Sequence, residues 1–164
     1  MKKTILIIAA FMFTAVAFAQ DKNEAKLYDP TANAKEDIAN AVKQAENEGK
    51  HVLLQLGGNW CSWCILFDKK VNSSETLKNA MESNYVVYHV NYSKENKNKE
   101  VFASLGYPQR FGFPVFVILD KKGNRLHTQN SAYLQEGKGH SAKKILAFFN
   151  HWSPKSIDPK QYNK

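Results

Sequence analysis

Residues 60–64 read Trp60-Cys61-Ser62-Trp63-Cys64, and they contain both cysteines of the 164-residue chain. Positions three apart on a helix share one face, so the two sulfurs can close a small local disulfide. If Cys61 lies in the first turn of a helix, the unpaired N–H groups and the macrodipole favour its thiolate. A thiolate is the nucleophile of disulfide exchange, and Cys64 could then attack the resulting mixed disulfide. The motif predicts a redox centre.

The first nineteen residues have the pattern of a secretory signal peptide. Lys2 and Lys3 precede an apolar stretch, and Ala17-Phe18-Ala19 forms a small-x-small cleavage site before Gln20. The alternative is an uncleaved membrane anchor, but about 14 apolar residues fall short of the roughly 20 that span a bilayer. We therefore expect cleavage after Ala19 and a mature protein that is periplasmic or secreted.

Export changes how the two cysteines are interpreted. In an oxidising compartment a cysteine pair is usually a structural disulfide. Closing so short a loop constrains the unfolded chain little, which favours redox chemistry over a structural role. A zinc site is not expected, because it needs four ligands and there is no second cysteine pair. Copper(I) capture by the two thiolates and a histidine stays open as an alternative.

The formal net charge of +8 does not indicate a nucleic-acid partner. The lysines are scattered among acidic residues, and no basic stripe is combined with stacking aromatic residues. A solvated basic surface is the simpler interpretation. Neither a cofactor nor a resident metal is expected.

The rest of the chain alternates between helical and strand patterns. We predict a polar lead-in over residues 21–31 with a short strand near Leu27, then a helix from residue 34 to Gly49 and a strand over 52–56. One or two helices between residues 64 and 81 follow, and then a strand over 85–92, a loop over 93–100 and a short helix near 101–105. The last elements are a strand over 113–119, a returning strand over 125–129 and a helix over 142–152. This order predicts an α/β fold with a mixed central sheet and helices on both faces. The domain boundaries that we expect are 1–19 for the signal peptide, 20–32 for the lead-in, 33–153 for one folded domain and 154–164 for a flexible tail.

The chain resembles the thioredoxin superfamily over roughly residues 50–152. The likeness is carried by the apolar strand, the Trp-Cys-Ser-Trp-Cys motif after it, and Gly112-Phe113-Pro114 at the start of a later strand. Within that superfamily the chain is similar to exported bacterial thioredoxin-like proteins, including the C-terminal domain of the membrane reductase DsbD.

The resemblance implies a role for each motif residue. Cys61 is expected to attack the substrate and Cys64 to resolve the mixed disulfide. Pro114 is expected to be a cis-proline facing the disulfide, and the backbone of Phe113 to pair with an extended substrate segment. Trp60 is expected to offer the substrate a flat apolar surface. For Trp63, contact with a substrate or partner, packing, and tuning of the redox centre all stay open.

Two positions depart from the pattern of the superfamily. Many thioredoxins have a buried Asp six residues before the first cysteine, whereas this chain has Gln55, which cannot titrate. The partner lysine on the next strand corresponds to His89, which titrates near neutral pH and is a candidate substitute in proton handling. The dipeptide Ser62-Trp63 supplies no cation beside Cys61, which argues against a very strong oxidant.

Together these observations predict an exported, monomeric protein thiol–disulfide oxidoreductase that is reductive or isomerase-supporting rather than strongly oxidising. Its partners are expected to be protein disulfides or dithiols and, as electron donor, a membrane protein of the DsbD type. The alternative is a non-enzymatic module with a thioredoxin fold, or a copper metallochaperone, that uses the same two cysteines.

Overall fold

A four-stranded mixed sheet organises the computed structural model, which describes residues 26–163. The strand order is β2-β1-β3-β4, where the strands are β1 (His51–Gly57), β2 (Tyr85–Asn91), β3 (Val115–Leu119) and β4 (Arg125–Asn130). Strand β1 is parallel to β2 and antiparallel to β3, and β3 is antiparallel to β4. The predicted α/β fold with a mixed sheet is therefore confirmed.

Five helices cover the two faces of this sheet. They are α1 (Ala34–Glu48), α2 (Ser62–Asn72), α3 (Glu75–Asn84), α4 (Lys99–Ser104) and α5 (Ala142–His151). Helix α1 ends at Gly49, as predicted, with Gly49 in the left-handed conformation, and Asn33 caps its start. The segment after the cysteines forms two helices rather than one, because the Ser74 side chain accepts a hydrogen bond from the Leu77 amide and starts α3.

Strands β1 and β3 separate two apolar cores. Successive side chains of a strand point to opposite faces, and both strands are buried along their whole length. The α1-side core contains Val52, Leu54, Leu56, Val115, Val117 and Leu119 together with residues of α1 and α4. The α5-side core contains Leu53, Phe116 and Ile118 together with residues of α2, α3 and α5.

Three parts of the chain differ from the prediction. Residues 26–33 form turns with no strand near Leu27, and Tyr28 is completely buried, so the prediction of a loose lead-in was wrong there. Helix α4 begins at Lys99, inside the predicted loop, because Lys99 and Glu100 are good helix formers. A two-stranded hairpin, β5 (Gln135–Glu136) with β6 (Gly139–His140), was not predicted.

Both termini bear on the predicted domain boundaries. The predicted signal peptide lies outside the described residues, and no helix in the described part of the chain is long and apolar enough to cross a membrane. Residues 154–163 form turns and a short 3-10 helix (Pro159–Gln161), and the Tyr162 hydroxyl donates to the Ser156 carbonyl at 2.6 Å. Flexibility of this tail stays a prediction.

Three histidines are buried or half-buried. His51 Nδ1 is 2.9 Å from the Trp152 carbonyl oxygen, and His89 lies on β2. The His140 ring packs edge-on against Trp63 and Phe67, with centroids 5.3 Å away in each case, and neither of its nitrogens has a hydrogen-bond partner among residues 26–163. Burial is the main cause that lowers the pKa of all three imidazoles below the ordinary 6.5.

We expect Phe116→Ala to lower the free energy of unfolding by about 3–5 kcal/mol, since it removes a fully buried ring and leaves a cavity. The Phe116 ring centroid lies 4.4 Å from that of Phe67 and 5.8 Å from that of Phe148. Urea denaturation of the oxidised protein measures the loss. Leu66→Ala, on the exposed side of α2, is the control, and an equal loss in both variants would contradict the assignment of the α5-side core.

We expect the protein to lose stability as the pH falls from 7 to 5. The three histidines have a lower pKa in the folded than in the unfolded state, so the unfolded chain takes up protons first. This stability is therefore present above about pH 6.5, and it is lost as the pH falls from there through the folded-state values. His140→Leu should weaken the pH dependence of the urea midpoint, whereas the exposed His151→Gln should leave it unchanged; identical profiles for the wild type and His140→Leu would contradict the prediction.

Candidate redox site

Cys61 is the residue at which α2 begins. Strand β1 ends at Gly57, a short turn follows, and Cys61 then takes the N-cap position with φ −89° and ψ 97°. Its sulfur accepts a hydrogen bond from the Cys64 amide at 3.2 Å. The predicted placement of the motif at a helix start is thus confirmed, and the first-turn N–H groups and the helix dipole favour negative charge on this sulfur.

Cys61 and Cys64 form a disulfide in this structure. The sulfurs are 2.12 Å apart and the Cα atoms 5.2 Å apart. Cys64 is completely buried, whereas 5 % of Cys61 is exposed. An incoming sulfur therefore meets Cys61 first, which agrees with the predicted attacking role of Cys61 and resolving role of Cys64.

Trp60 and Phe113 form an aromatic surface beside the disulfide. Trp60 is 60 % exposed, its Nε1 donates to the Tyr92 carbonyl at 2.6 Å, and its ring meets that of Phe113 edge-on at 5.6 Å. Phe113 also packs against the buried cysteine cluster, and the Phe113–Pro114 peptide bond is cis. The structure thus places the predicted substrate residues Trp60 and Phe113 in contact with each other beside the disulfide. Pro114 directly follows Phe113 in the sequence.

Trp63 lies on the other side of the cysteines. Its ring packs against the buried cysteine cluster and, edge-on, against His140. His140 belongs to the unpredicted β5–β6 hairpin. Trp63 therefore has a packing role here, between this hairpin and the cysteine cluster. Contact of Trp63 with a partner protein stays a prediction.

Tyr28 packs against the two cysteines in the interior, and this contact was not predicted. Together with Cys61 and Cys64 it forms one buried cluster. The Asn59 side chain holds the Tyr28 backbone at both polar groups: Asn59 Oδ1 accepts from the Tyr28 amide at 3.0 Å, and Asn59 Nδ2 donates to the Tyr28 carbonyl at 2.7 Å. Asn59 therefore ties the lead-in to the turn that precedes the cysteines.

Gln55 connects Tyr28 to Cys64. Its Nε2 donates to the Tyr28 hydroxyl oxygen at 2.8 Å and to the Cys64 carbonyl oxygen at 3.3 Å. Gln55 is 3 % exposed, so these bonds satisfy a polar group that would otherwise be costly to bury. Gln55 therefore has a structural role, because it connects strand β1 to the first turn of α2.

His89 lies opposite Gln55 in the parallel pairing of β1 and β2. Its ring meets that of Tyr28 edge-on at 5.5 Å. Burial lowers the pKa of His89, and the Asp68 carboxylate partly opposes that shift. Proton handling by Gln55 and His89 stays a prediction, although the structure does place both beside Tyr28.

A groove of about 670 Å³ opens on the side of Trp60 that faces the lead-in. Pro30, Trp60 and Tyr92 supply its apolar wall. Three lysines and one glutamate also line it: Lys26, Lys94, Lys97 and Glu95. The groove therefore combines an apolar wall, which includes the neighbour of Cys61, with a predominantly basic set of charged side chains.

Metal binding has no preformed site in the described part of the chain. No group of three or more His, Cys, Asp or Glu side chains within residues 26–163 lies close enough together to hold an ion. A metal at the reduced cysteines would have the two sulfurs as its ligands from this region.

Tyr28, Asn59 and His140 are the site residues that sequence reasoning missed. Each makes its contact in the site with a residue that is distant in sequence; Tyr28 and Asn59, for example, are 31 residues apart. The one local signal was a Leu27-Tyr28 pair inside an otherwise polar segment. Such a pair indicates burial but does not indicate against what.

The comparisons with known proteins agree with this fold. A family model described as thioredoxin-like matches residues 32–121. A crystal structure of a disulphide isomerase from Xylella fastidiosa Temecula1 superposes with a TM-score of 0.67 at 24% identity, covering 75% of this chain and 93% of that one. A structure of DsbH oxidoreductase gives a TM-score of 0.52 at 22% identity, covering 68% of this chain and 78% of that one. A comparison with curated proteins gave no match.

The two structural neighbours support the fold, and the family model extends over more than half of the chain, from the lead-in to the turn after β3. That stretch includes the cysteine motif, the Tyr28-facing strand β1 and the cis-proline. The chain belongs to the thioredoxin-like family.

Proposed function

We propose that this protein is an exported thiol–disulfide oxidoreductase that exchanges disulfides with proteins through Cys61 and Cys64. One observation carries the proposal: a disulfide whose slightly exposed sulfur caps a helix, next to a largely exposed tryptophan. A structural disulfide needs neither the helix N-terminus nor an open aromatic surface. The disulfide oxidoreductases among the structural neighbours are consistent with this proposal.

The reaction is a pair of sulfur displacements. In the reducing direction the Cys61 thiolate attacks one sulfur of a substrate disulfide, forms a mixed disulfide and releases the first substrate thiolate. Cys64 loses its proton, attacks the Cys61 sulfur, forms the Cys61–Cys64 disulfide and releases the second substrate thiolate. The substrate gains two electrons and the cysteine pair loses two. The reverse sequence oxidises a dithiol.

The surface around Cys61 suits a polypeptide substrate. Trp60 and Phe113 offer apolar contact. Residues of the lead-in and of the segment after β2 both line the groove beside Trp60, so the groove extends away from the disulfide. The backbone before Pro114 lies at the start of β3, where an extended segment could pair with it. We assign protein disulfides or dithiols as substrates on these grounds.

The surroundings of Cys61 favour a reductive or isomerase-supporting role over a strongly oxidising one. Ser62 and Trp63 carry no charge, and the nearest histidine to Trp63, His140, has a lowered pKa and is neutral at pH 7. The Cys61 thiolate is thus stabilised by the helix N-terminus without a neighbouring cation. A reductive role needs an electron donor, for which we propose a membrane protein of the DsbD type. Export rests on the pattern of residues 1–19, and we propose that the mature protein is a monomer.

We expect Cys61→Ser to abolish reduction of insulin by the protein in the presence of dithiothreitol. Reduced Cys64→Ser that has been freed of dithiothreitol should instead accumulate a mixed disulfide with the substrate, because Cys61 can still attack but no second thiol resolves the product. Non-reducing electrophoresis detects that adduct. Retention of insulin reduction in Cys61→Ser would exclude the proposed chemistry.

We expect a reduction potential of about −230 to −270 mV for the Cys61–Cys64 pair, in the range of reducing members rather than near the roughly −120 mV of strong oxidants. Equilibration of the protein without residues 1–19 against glutathione buffers measures it. A value near −120 mV would assign a disulfide donor. A pair that never exchanges with glutathione but binds copper(I) tightly would replace the enzyme by the metal-binding module.

A further inference from the structure

Tyr28 is a buried, titratable side chain that the sulfur displacements above do not use. We propose that its hydroxyl donates a hydrogen bond to the sulfur of reduced Cys64 and so stabilises the Cys64 thiolate for the resolving step. This inference deepens the proposed function and rests on it for the chemistry of Cys61 and Cys64.

The first observation is the position of the two atoms. Tyr28 and Cys64 are both completely buried and belong to one cluster. A Cβ atom added to Gly57 would lie 2.4 Å from Cys64 Sγ and 2.8 Å from the Tyr28 hydroxyl oxygen. The sulfur and the hydroxyl therefore face the same small space beside Gly57, and the absence of a side chain at position 57 keeps that space open.

The second observation fixes the direction of the hydroxyl proton. The Cys64 carbonyl oxygen can only accept, so the Gln55 side-chain group that faces it at 3.3 Å is the NH₂. The same NH₂ is 2.8 Å from the Tyr28 oxygen, which must therefore accept from Gln55. In this disulfide-bonded structure the Tyr28 hydroxyl accepts from Gln55 and donates to no group within residues 26–163. Its proton is therefore available to the sulfur of reduced Cys64.

The third observation is the charge state of the groups that face Tyr28. Burial raises the pKa of the Tyr28 hydroxyl well above its ordinary value; the hydrogen bond from Gln55 opposes the shift and the Asp68 carboxylate on α2 adds to it. The other titratable groups around the ring are the two cysteines and His89 on β2, whose pKa burial lowers. Tyr28 therefore keeps its proton at every pH at which disulfide exchange is measured, and His89 is neutral at pH 7.

The chemical role follows from where negative charge forms. A thiolate in an apolar interior is costly unless a donor faces it. In the resolving step the Cys64 proton passes to water, the thiolate attacks Cys61, and the departing thiolate takes away the negative charge. Tyr28 donates a hydrogen bond while that charge is on Cys64 and retains its own proton throughout. On this proposal Tyr28 is a catalytic residue, because its hydroxyl contacts the reacting Cys64 sulfur in the reduced protein.

The test separates the two steps of exchange with a small aromatic disulfide, dithiobis(nitrobenzoate), in single-turnover mixing. Attack by Cys61 releases one coloured thiolate, and the resolving attack by Cys64 releases a second one in a step that does not depend on reagent concentration. In Tyr28→Phe we expect this second phase to be at least about tenfold slower at neutral pH and its pH midpoint to move upward, since a hydrogen bond to a charged group is lost. The first phase should keep its rate.

Tyr85→Phe is the matched control. Tyr85 is equally buried, but its hydroxyl donates to the Phe149 carbonyl at 2.7 Å in the α5-side core. It should lower the urea midpoint without moving the pH midpoint of the second phase. An unchanged second phase in a folded Tyr28→Phe protein would overturn the inference, as would a shift that appears in His89→Gln but not in Tyr28→Phe.

A second measurement uses reduced Cys61→Ser protein, in which Cys64 can titrate but cannot form the intramolecular disulfide. With isotope-labelled tyrosine, the phenolic carbon signal of Tyr28 should titrate together with the Cys64 thiol; a signal that does not move would overturn the inference. Failure of the proposed function has a different signature. In that case both coloured phases occur with the small reagent, while insulin and other protein disulfides are not reduced.

Discussion

Burial of strand β1 on both of its faces is the constraint on which the remaining structure depends. Every residue from His51 to Gly57 is buried, so the strand must have a helical layer on each side and a paired strand at each edge. The parallel partner β2 is reached through α2 and α3, which forces the chain to turn sharply at the carboxyl end of β1. That turn is where Cys61 lies. The redox site therefore lies beyond the carboxyl end of β1, where the first backbone amides of α2 have no hydrogen-bond partner within the helix.

The polar groups inside the site follow from the same constraint. Gln55 lies among the apolar side chains of β1 from Val52 to Leu56, and its amide is acceptable there because both of its N–H groups are used. One donor holds the carbonyl at the first turn of α2, and the other holds a tyrosine from the lead-in. The lead-in is in turn fixed by Asn59, directly before Trp60. The lead-in thus meets the continuous stretch from β1 through the turn to the start of α2 at the disulfide.

Much of this architecture could be predicted because it is written in local patterns. The period of apolar residues identified α1, β1, β2, β3 and α5, and Ser74 and Gly49 marked helix ends by their side-chain and backbone chemistry. The contacts of Tyr28, Asn59 and His140 could not be predicted in this way. A lone tyrosine in a polar segment, an asparagine in a turn and a histidine beside glycine are locally ordinary. Their roles come from partners that only the folded topology brings near.

The two sulfurs of the disulfide meet different surroundings, and this difference orders the reaction. Cys61 is slightly exposed and caps α2, so backbone dipoles favour negative charge on its sulfur without a charged side chain at positions 62 and 63. Cys64 faces the interior, where β1 and the lead-in contribute neutral groups only, an amide and a hydroxyl. A titrating carboxylate at position 55 would store a proton there but would also place a second negative charge near the Cys64 thiolate. Here Gln55 uses both of its N–H groups on the Cys64 carbonyl and the Tyr28 hydroxyl oxygen, so the donor that the interior offers to the sulfur is the Tyr28 hydroxyl. On our proposal, deprotonation of Cys64 is governed by the geometry of this neutral donor rather than by the ionisation of a neighbouring acid.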